Sequence, residues 1–305
     1  MRTLEAYIKL PQKKLFKTIK NDFPNAVFRK DKYILVPGEA PALLVAHLDT
    51  VHHDNCAVIC YSEDKNILMS PQGIGGDDRC GVYGIIKAYE NAKVKPWLLF
   101  TCDEEIGGVG ARQFANDLPM KDKLEEVNII VELDRKGKND AVYYDCDCLE
   151  LEDYITSKGF KTQYGSYSDI CDVAPALGVA AVNLSSGYYN AHTQHEYINR
   201  KQLEKTIEKV IEIVNESPNL PRFEYLESYR NYSSYNYYNY YNTHEGFDEK
   251  KLTGFLLGYW NELLDIYEEQ ELIDYCEEHG MDSLIDLYWE SFMDTKETKV
   301  NHGWL

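Results

Sequence analysis

Five short groups of acids and histidines punctuate the 305-residue chain, and their types suit metal-assisted hydrolysis. His47-Leu48-Asp49 follows one apolar run. Gly73-Ile74-Gly75-Gly76-Asp77-Asp78 sets two adjacent carboxylates ahead of a helical stretch. Asp103-Glu104-Glu105 follows a second apolar run, Asp134 closes a third, and His192 lies beyond a fourth. Carboxylates gathered in one pocket repel one another, and a pair of divalent cations removes that cost. Mixed imidazole and carboxylate donors suit zinc, with cobalt or manganese as substitutes. Structural zinc sites are usually closed and rich in thiolate, so a carboxylate-rich set points to catalysis.

Each group alone has an ordinary explanation. His-x-Asp after a strand is commonly a surface turn, Asp-Asp before a helix usually caps it, and Glu-Glu-x-Gly is often a solvated loop. The joint reading rests on order: each group stands just past its own expected strand, and roles that converge on one pocket are what a site requires.

The elements that must bring them together are legible as apolar runs of strand length at Ala42–Ala46, Trp97–Thr101, Asn128–Leu133 and Ala180–Leu184. Helical patterns alternate with them at Cys80–Ala92, Gly110–Asn116, Cys148–Lys158, Ser168–Leu177 and Arg200–Asn215. A helix over Pro11–Asn21 and a β-pair at Ala26–Arg29 and Tyr33–Val36 precede them. The alternation predicts an α/β fold, a mostly parallel central sheet with helices on both faces. In such a sheet ligands gather at the carboxyl ends of the strands, where these acids and histidines fall.

Ser217-Pro218-Asn219-Leu220-Pro221 breaks the pattern. The expected organisation is a catalytic domain over 1–217, a Tyr/Asn-rich linker over 218–247 and an acidic helical appendage over 248–305. Eight of the seventeen residues from Tyr225 to Tyr241 are tyrosine, and they follow no clean period. Glu249–Glu269 and Glu271–Phe292 read as amphipathic helices interrupted near Gly280, which pack on the main domain or a protein partner.

The formal charge of −19 disfavours nucleic-acid backbones. From Pro218 onward there are 18 acidic and 6 basic residues, which leaves −7 for the first 217. No run of eighteen apolar residues suggests a membrane span, and the acidic polar face of the tail does not suit a membrane surface. The N-terminus does not read as a secretory signal, and the eight cysteines read as free thiols of a cytoplasmic protein. Cys146-x-Cys148 is a weak alternative metal pair.

The order His-x-Asp, Gly-x-Asp-Asp, Glu-Glu-x-Gly, Asp, His resembles the co-catalytic two-zinc exopeptidases that include peptidase T, desuccinylases and bacterial leucyl aminopeptidases. The segment Gly187–Ile198 looks like the closing motif of peptidase T, and the resemblance spans roughly residues 40–215. It implies that His47 and Asp134 bind one metal, Glu105 and His192 the other, and that Asp77 bridges both. It also implies a cis peptide at Asp77–Asp78, an Asp49 that orients the His47 ring, and Glu104 as general base toward a metal-bridging water. Asp78, Asp103, His52, His53 and His195 are expected outside the ligand set. Arg79 or Arg135 could orient a substrate carboxylate. Ser168-Asp169 resembles a segment that borders the pocket.

Many members carry a lid or dimerisation domain after the Asp ligand. Here only 33 residues separate Asp134 from Ser168, too few for one, and the acidic tail has no recognised counterpart. The expected function is a metal-dependent exopeptidase of the aminopeptidase or dipeptidase type, acting on short peptides. Two alternatives stay open: an N-acyl amino acid deacylase with the same two metals, and a non-catalytic scaffold whose tail recruits a partner. Glu104 argues against the scaffold, since a relic site has no need of a base.

Overall fold

The computed structural model describes residues 2–52 and 56–227 and, further on, 260, 263–264, 266–279, 284 and 287. The chain divides into two units, Met1–Ser228 and Tyr229–Leu305. In chain order the first runs α1 (Leu4–Ile8), α2 (Gln12–Asp22), β1 (Val27–Arg29), β2 (Tyr33–Val36), β3 (Ala42–His47), β4 (Cys60–Tyr61), β5 (Ile67–Met69), α3 (Gly76–Asn91) and β6 (Trp97–Thr101). It continues with α4 (Val109–Ala115), α5 (Leu118–Lys121), β7 (Ile129–Arg135), β8 (Asp140–Val142), α6 (Leu149–Ser157), β9 (Lys161–Thr162), α7 (Ile170–Leu177), β10 (Ala181–Ser185), β11 (Tyr188–Tyr189), β12 (Tyr197–Asn199) and α8 (Arg200–Glu216).

Among the described residues, eight strands form the main sheet in the order β1-β2-β6-β3-β7-β10-β8-β9. Its centre, β6-β3-β7-β10, is parallel throughout. The β1-β2, β2-β6 and β10-β8 pairs are antiparallel. The centre is apolar without a break because both faces are covered. In β3, Ala42, Leu44 and Ala46 join the larger core cluster, which contains Ile85 of α3 and Leu203 and Val210 of α8. Leu43 and Val45 point the other way, into the smaller cluster with Phe114 of α4 and Val173 of α7. The period-two alternation therefore sorts one hydrophobic run into two cores.

The helix α8 fits its amphipathic pattern: Leu203, Ile207, Val210, Ile213 and Val214 are buried, and the Asn199 side chain caps its first turn by accepting from Gln202 N at 3.2 Å. A second, wholly antiparallel sheet, β11-β12-β5-β4, was not anticipated from sequence. Its strands have two or three residues each, too short to show a period.

Residues 218–227, expected to begin a linker, are instead tied to the first unit. Phe223 is buried and stacks on Tyr154 with ring centroids 5.9 Å apart. Its N–H donates to Asn128 O at 2.9 Å, and its carbonyl accepts from Ala180 N at 2.8 Å. Arg222 donates to the Glu125 and Val127 carbonyls.

In the second unit a helix spans Glu269–His279, and Leu272 and Cys276 are buried with Trp260, Leu263 and Leu284. Most of the Tyr-rich stretch and of the helix expected over Glu249–Glu269, and the interruption near Gly280, lie outside the described residues. No described helix is long and apolar enough to cross a membrane.

Candidate metal centre

The five groups meet at the carboxyl ends of the parallel strands, the position where an open α/β sheet places its ligands. His47 is the last residue of β3, Asp134 lies near the end of β7, and Glu104 and Glu105 follow β6. Asp77 enters at the start of α3 through the glycine-rich turn. Gly75 takes φ +64° there, and a side chain on Gly76 would run into Tyr188 and Ile198, so this turn needs both glycines. The Asp77–Asp78 peptide is cis.

The donor atoms fall into two overlapping sets. His47 Nε2 lies 3.0 Å from Asp77 Oδ1 and 3.5 Å from Asp134 Oδ1. His192 Nε2 lies 3.0 Å from Glu105 Oε2 and 3.4 Å from Asp77 Oδ2. Each set of three offers atoms that all lie within 4.8 Å of one another, and Asp77 gives one oxygen to each. His47, Glu104 and Glu105 form a third possible set.

These donors fit divalent cations. Glu105 Oε1 is buried with no hydrogen-bond partner, and such an orphaned acceptor is costly unless something positive meets it. Burial and the Asp77 charge push Asp134 up to about 7. Burial alone would lower the His47 imidazole, but Asp134, Asp49 and Asp77 hold it well above its ordinary value. Hydrogen bonds with Asp77 and Glu105 raise His192 to about 10. Divalent cations held by these donors would neutralise the gathered acids. Glu104 completes the pocket, and burial carries it up to about 8.

Asp49 has a wider part than the orientation of one ring. Its Oδ1 meets His47 Nδ1 at 3.2 Å, and its carboxylate accepts from Glu104 N at 3.1 Å and Glu105 N at 3.0 Å. Burial works against its charge, yet His47 and these N–H groups keep it below the usual carboxylate range. Asp134 is braced by Ser168 Oγ, which donates at 3.1 Å, and by Asn183 Oδ1, which accepts from its backbone N at 2.8 Å.

The remaining candidates separate cleanly. Asp78 accepts from His47 N at 3.1 Å and Gly81 N at 2.8 Å, so the capping explanation suits this second acid. Asp103 accepts from Gln12 Nε2, and Asp169 accepts from the Thr101 hydroxyl. Arg79 is buried and donates to the carbonyls of Leu10, Leu48 and Asp49, which ties it to the backbone rather than to a substrate. Arg135 instead lines the cavity above the metal sets. His195 is exposed, and His53 lies outside the described residues.

No protein-family profile matches the sequence, and no curated protein matches it. Solved structures do. Aminopeptidase PepT from Bacillus cereus superposes with a TM-score of 0.54 at 15% identity, covering 70% of this chain and 97% of that one. A tripeptidase from Staphylococcus aureus gives 0.56 at 12% identity, over 72% and 97%. The TET aminopeptidase of a Thaumarchaeota archaeon gives 0.55 at 11%, over 70% and 95%. The chain shares the fold of these peptidases.

Sequence reasoning passed over Glu196, although it stands inside the quoted closing motif. It is fully buried, and its Oε1 accepts from Asp77 N at 2.9 Å. Its Oε2 accepts from Gly75 N at 2.9 Å and pairs with His52 Nε2 at 2.8 Å. The carboxylate therefore holds the turn that presents Asp77, with the His52 ring against its second oxygen. A glutamine has one acceptor oxygen in place of two and would aim an N–H at another N–H. Glu196→Gln is expected to weaken cation affinity about 10- to 100-fold, the usual effect of losing a group that orients a ligand. Isothermal titration of the stripped protein with zinc checks this, and wild-type affinity in the variant would show that the turn holds itself.

Proposed function

We propose that the chain is a metal-dependent exopeptidase that hydrolyses short peptides, with His47, Asp77 and Asp134 as one ligand set, Asp77, Glu105 and His192 as the other, and Glu104 as general base. The observation that carries this reading is Asp77, whose two oxygens face the two imidazoles at 3.0 and 3.4 Å, as a bridging ligand must. The fold shared with aminopeptidases and a tripeptidase supports it.

When bound, two divalent cations, zinc or in its place cobalt or manganese, supply Lewis acidity toward a carbonyl and toward water. The protein's own groups do the rest. Hydrolysis breaks the amide C–N bond, delivers OH to the carbonyl carbon and returns a proton to the leaving nitrogen. The Glu104 carboxylate holds that proton between the two events. Asp49 fixes the backbone of both Glu104 and Glu105, so the base and one ligand move as a unit. The eight cysteines are free, consistent with work in a reducing cytosol.

Stripping and reloading the protein tests the proposal. Chelated protein, metal-free by elemental analysis, is expected to be inert toward dipeptides and tripeptides, and zinc, cobalt or manganese to restore turnover. Because the donors must shed protons to bind, cation affinity is expected to fall as pH falls. Loading should also raise the melting temperature, with about 2.7 kcal/mol of stabilisation at 100 times Kd. Full turnover by verified metal-free protein would defeat the assignment.

A further inference from the structure

The cavity above the two ligand sets has a volume of about 290 Å³ and is lined by tyrosines as well as by the ligands and the base. Tyr144 and Tyr167 come from the short segment between β7 and α7, and Tyr188 from β11. The proposed chemistry uses none of them. Each hydroxyl already has a partner. Tyr188 donates to the Asp134 carbonyl at 3.2 Å, Tyr167 donates to Asp172 Oδ2 at 2.7 Å, and the Tyr144 oxygen accepts from Asn183 Nδ2 at 3.0 Å. Tyr188 is buried, so the rings left for a bound molecule are Tyr144 and Tyr167.

Both rings are placed by unusual local structure. Tyr144 has φ +52°, a left-handed conformation that a bulky residue seldom takes and that tends to occur where function needs it. The Tyr167 hydroxyl fills the space that a side chain on Gly108 would take. Gly108 ends the turn that the base begins, since Gly107 N and Gly108 N both donate to the Glu104 carbonyl at 2.9 Å. One end of the turn therefore carries the base and the other abuts the Tyr167 ring.

Glu104 takes a proton from water and gives it to the leaving nitrogen, so that nitrogen must come within hydrogen-bond reach of the base. The residue that carries the nitrogen then lies along the base turn, where Tyr167 stands. We infer that Tyr144 and Tyr167 form the subsite for the side chain of this leaving-side residue, and that the subsite selects an aromatic or large aliphatic side chain. This rests on the proposed amide hydrolysis and gives it a side-chain preference. Two rings whose hydroxyls are already bonded offer apolar area and the stacked or edge-on contacts that aromatic pairs favour. A methyl group in their place would leave most of that area uncovered.

Turnover of a small panel by the metal-loaded full chain tests this: Ala-Phe, Ala-Ala and Phe-Ala, each also with a further C-terminal alanine, the broken bond being read by mass spectrometry. Wild type is expected to cleave the Ala–Phe bond with a kcat/KM about 10- to 200-fold above the Ala–Ala bond, the range over which apolar pockets discriminate by size. Tyr167→Ala should lower that ratio about 3- to 10-fold, the scale of one aromatic pair, and leave the ratio of Phe–Ala to Ala–Ala cleavage where it was. Tyr167→Phe keeps the ring and should hold the wild-type ratio. Equal metal content in wild type and variants is the check that the ligand sets are intact. Equal cleavage of the Ala–Phe and Ala–Ala bonds by wild type would overturn the inference while leaving the peptidase standing. So would a loss in Tyr167→Ala that falls equally on Ala–Phe and Phe–Ala, or a ratio in Tyr167→Phe that drops as far as in the alanine variant. Cleavage of no peptide in the panel would overturn both.

Discussion

Glu104→Ala is expected to lower kcat/KM for peptide hydrolysis by about 10²- to 10⁴-fold, the usual contribution of a positioned general base, while the chain keeps about two metal equivalents. Glu104 belongs to the pocket wall, next to the donors of His47 and Glu105, but it is not a member of either set that shares Asp77. Burial raises its pKa to about 8, close to the range in which a carboxylate both accepts and releases a proton at neutral pH. Cations beside it pull that value down and keep the base ionised. Glu104→Gln, which keeps the shape and loses the basicity, should fall as far as the alanine. Elemental analysis separates this role from the rival one. His47, Glu104 and Glu105 also lie within 4.8 Å of one another, so Glu104 could itself be a ligand. Loss of a metal equivalent in Glu104→Ala would exchange the roles of Glu104 and Glu105. Full turnover in either variant would end the mechanism.

The same result bears on the scaffold alternative. A vestigial metal site has no use for a base that can be removed without loss of metal. A large drop in turnover at constant metal content therefore excludes a purely structural role for these ions.

The parts of the fold that sequence made legible are those with long, regular patterns. β3, β6, β7 and β10 are continuous apolar runs because both sheet faces are covered, and α8 repeats its apolar positions over seventeen residues. Once those strands were in place, His47, Glu104, Glu105 and Asp134 could be located by counting past strand ends. Contacts between segments distant in sequence were not legible. Glu196 reaches Asp77 across 119 positions through a backbone N–H, and a backbone donor leaves no mark in the side-chain pattern. Asp49 is similar: its ring partner is two residues away, but the two N–H groups it also holds belong to the next strand's turn. Residues 218–227 read as a linker because they carry prolines and polar residues. What ties them to the sheet is backbone pairing with Asn128 and Ala180 and the single buried ring of Phe223. Residue type and spacing alone do not tell Asp77 from Asp78; the family resemblance separated them. Two identical side chains adjoin, one turned to the imidazoles and the other to the backbone N–H groups of His47 and Gly81.

That difference makes the pair a controlled comparison. Asp77→Asn is expected to reduce bound metal to at most about one equivalent and to lower turnover by about 10³-fold or more, since Lewis-acid stabilisation of several kcal/mol is lost with the ions. An amide keeps the size of the carboxylate but presents only one oxygen, so it cannot face both His47 and His192 as the two oxygens of Asp77 do at 3.0 and 3.4 Å. Its nitrogen would also turn a donor toward one of the two cations. Asp78→Asn loses no metal donor. It is expected to cost folding stability instead, by weakening the acceptors for His47 N and Gly81 N, at about 1–3 kcal/mol for a buried partner left unpaired. Metal content, turnover and urea unfolding on both variants give three readouts with opposite patterns. Should Asp78→Asn strip the metals while Asp77→Asn retains them, the bridging carboxylate would be the second acid and both ligand sets would need to be redrawn.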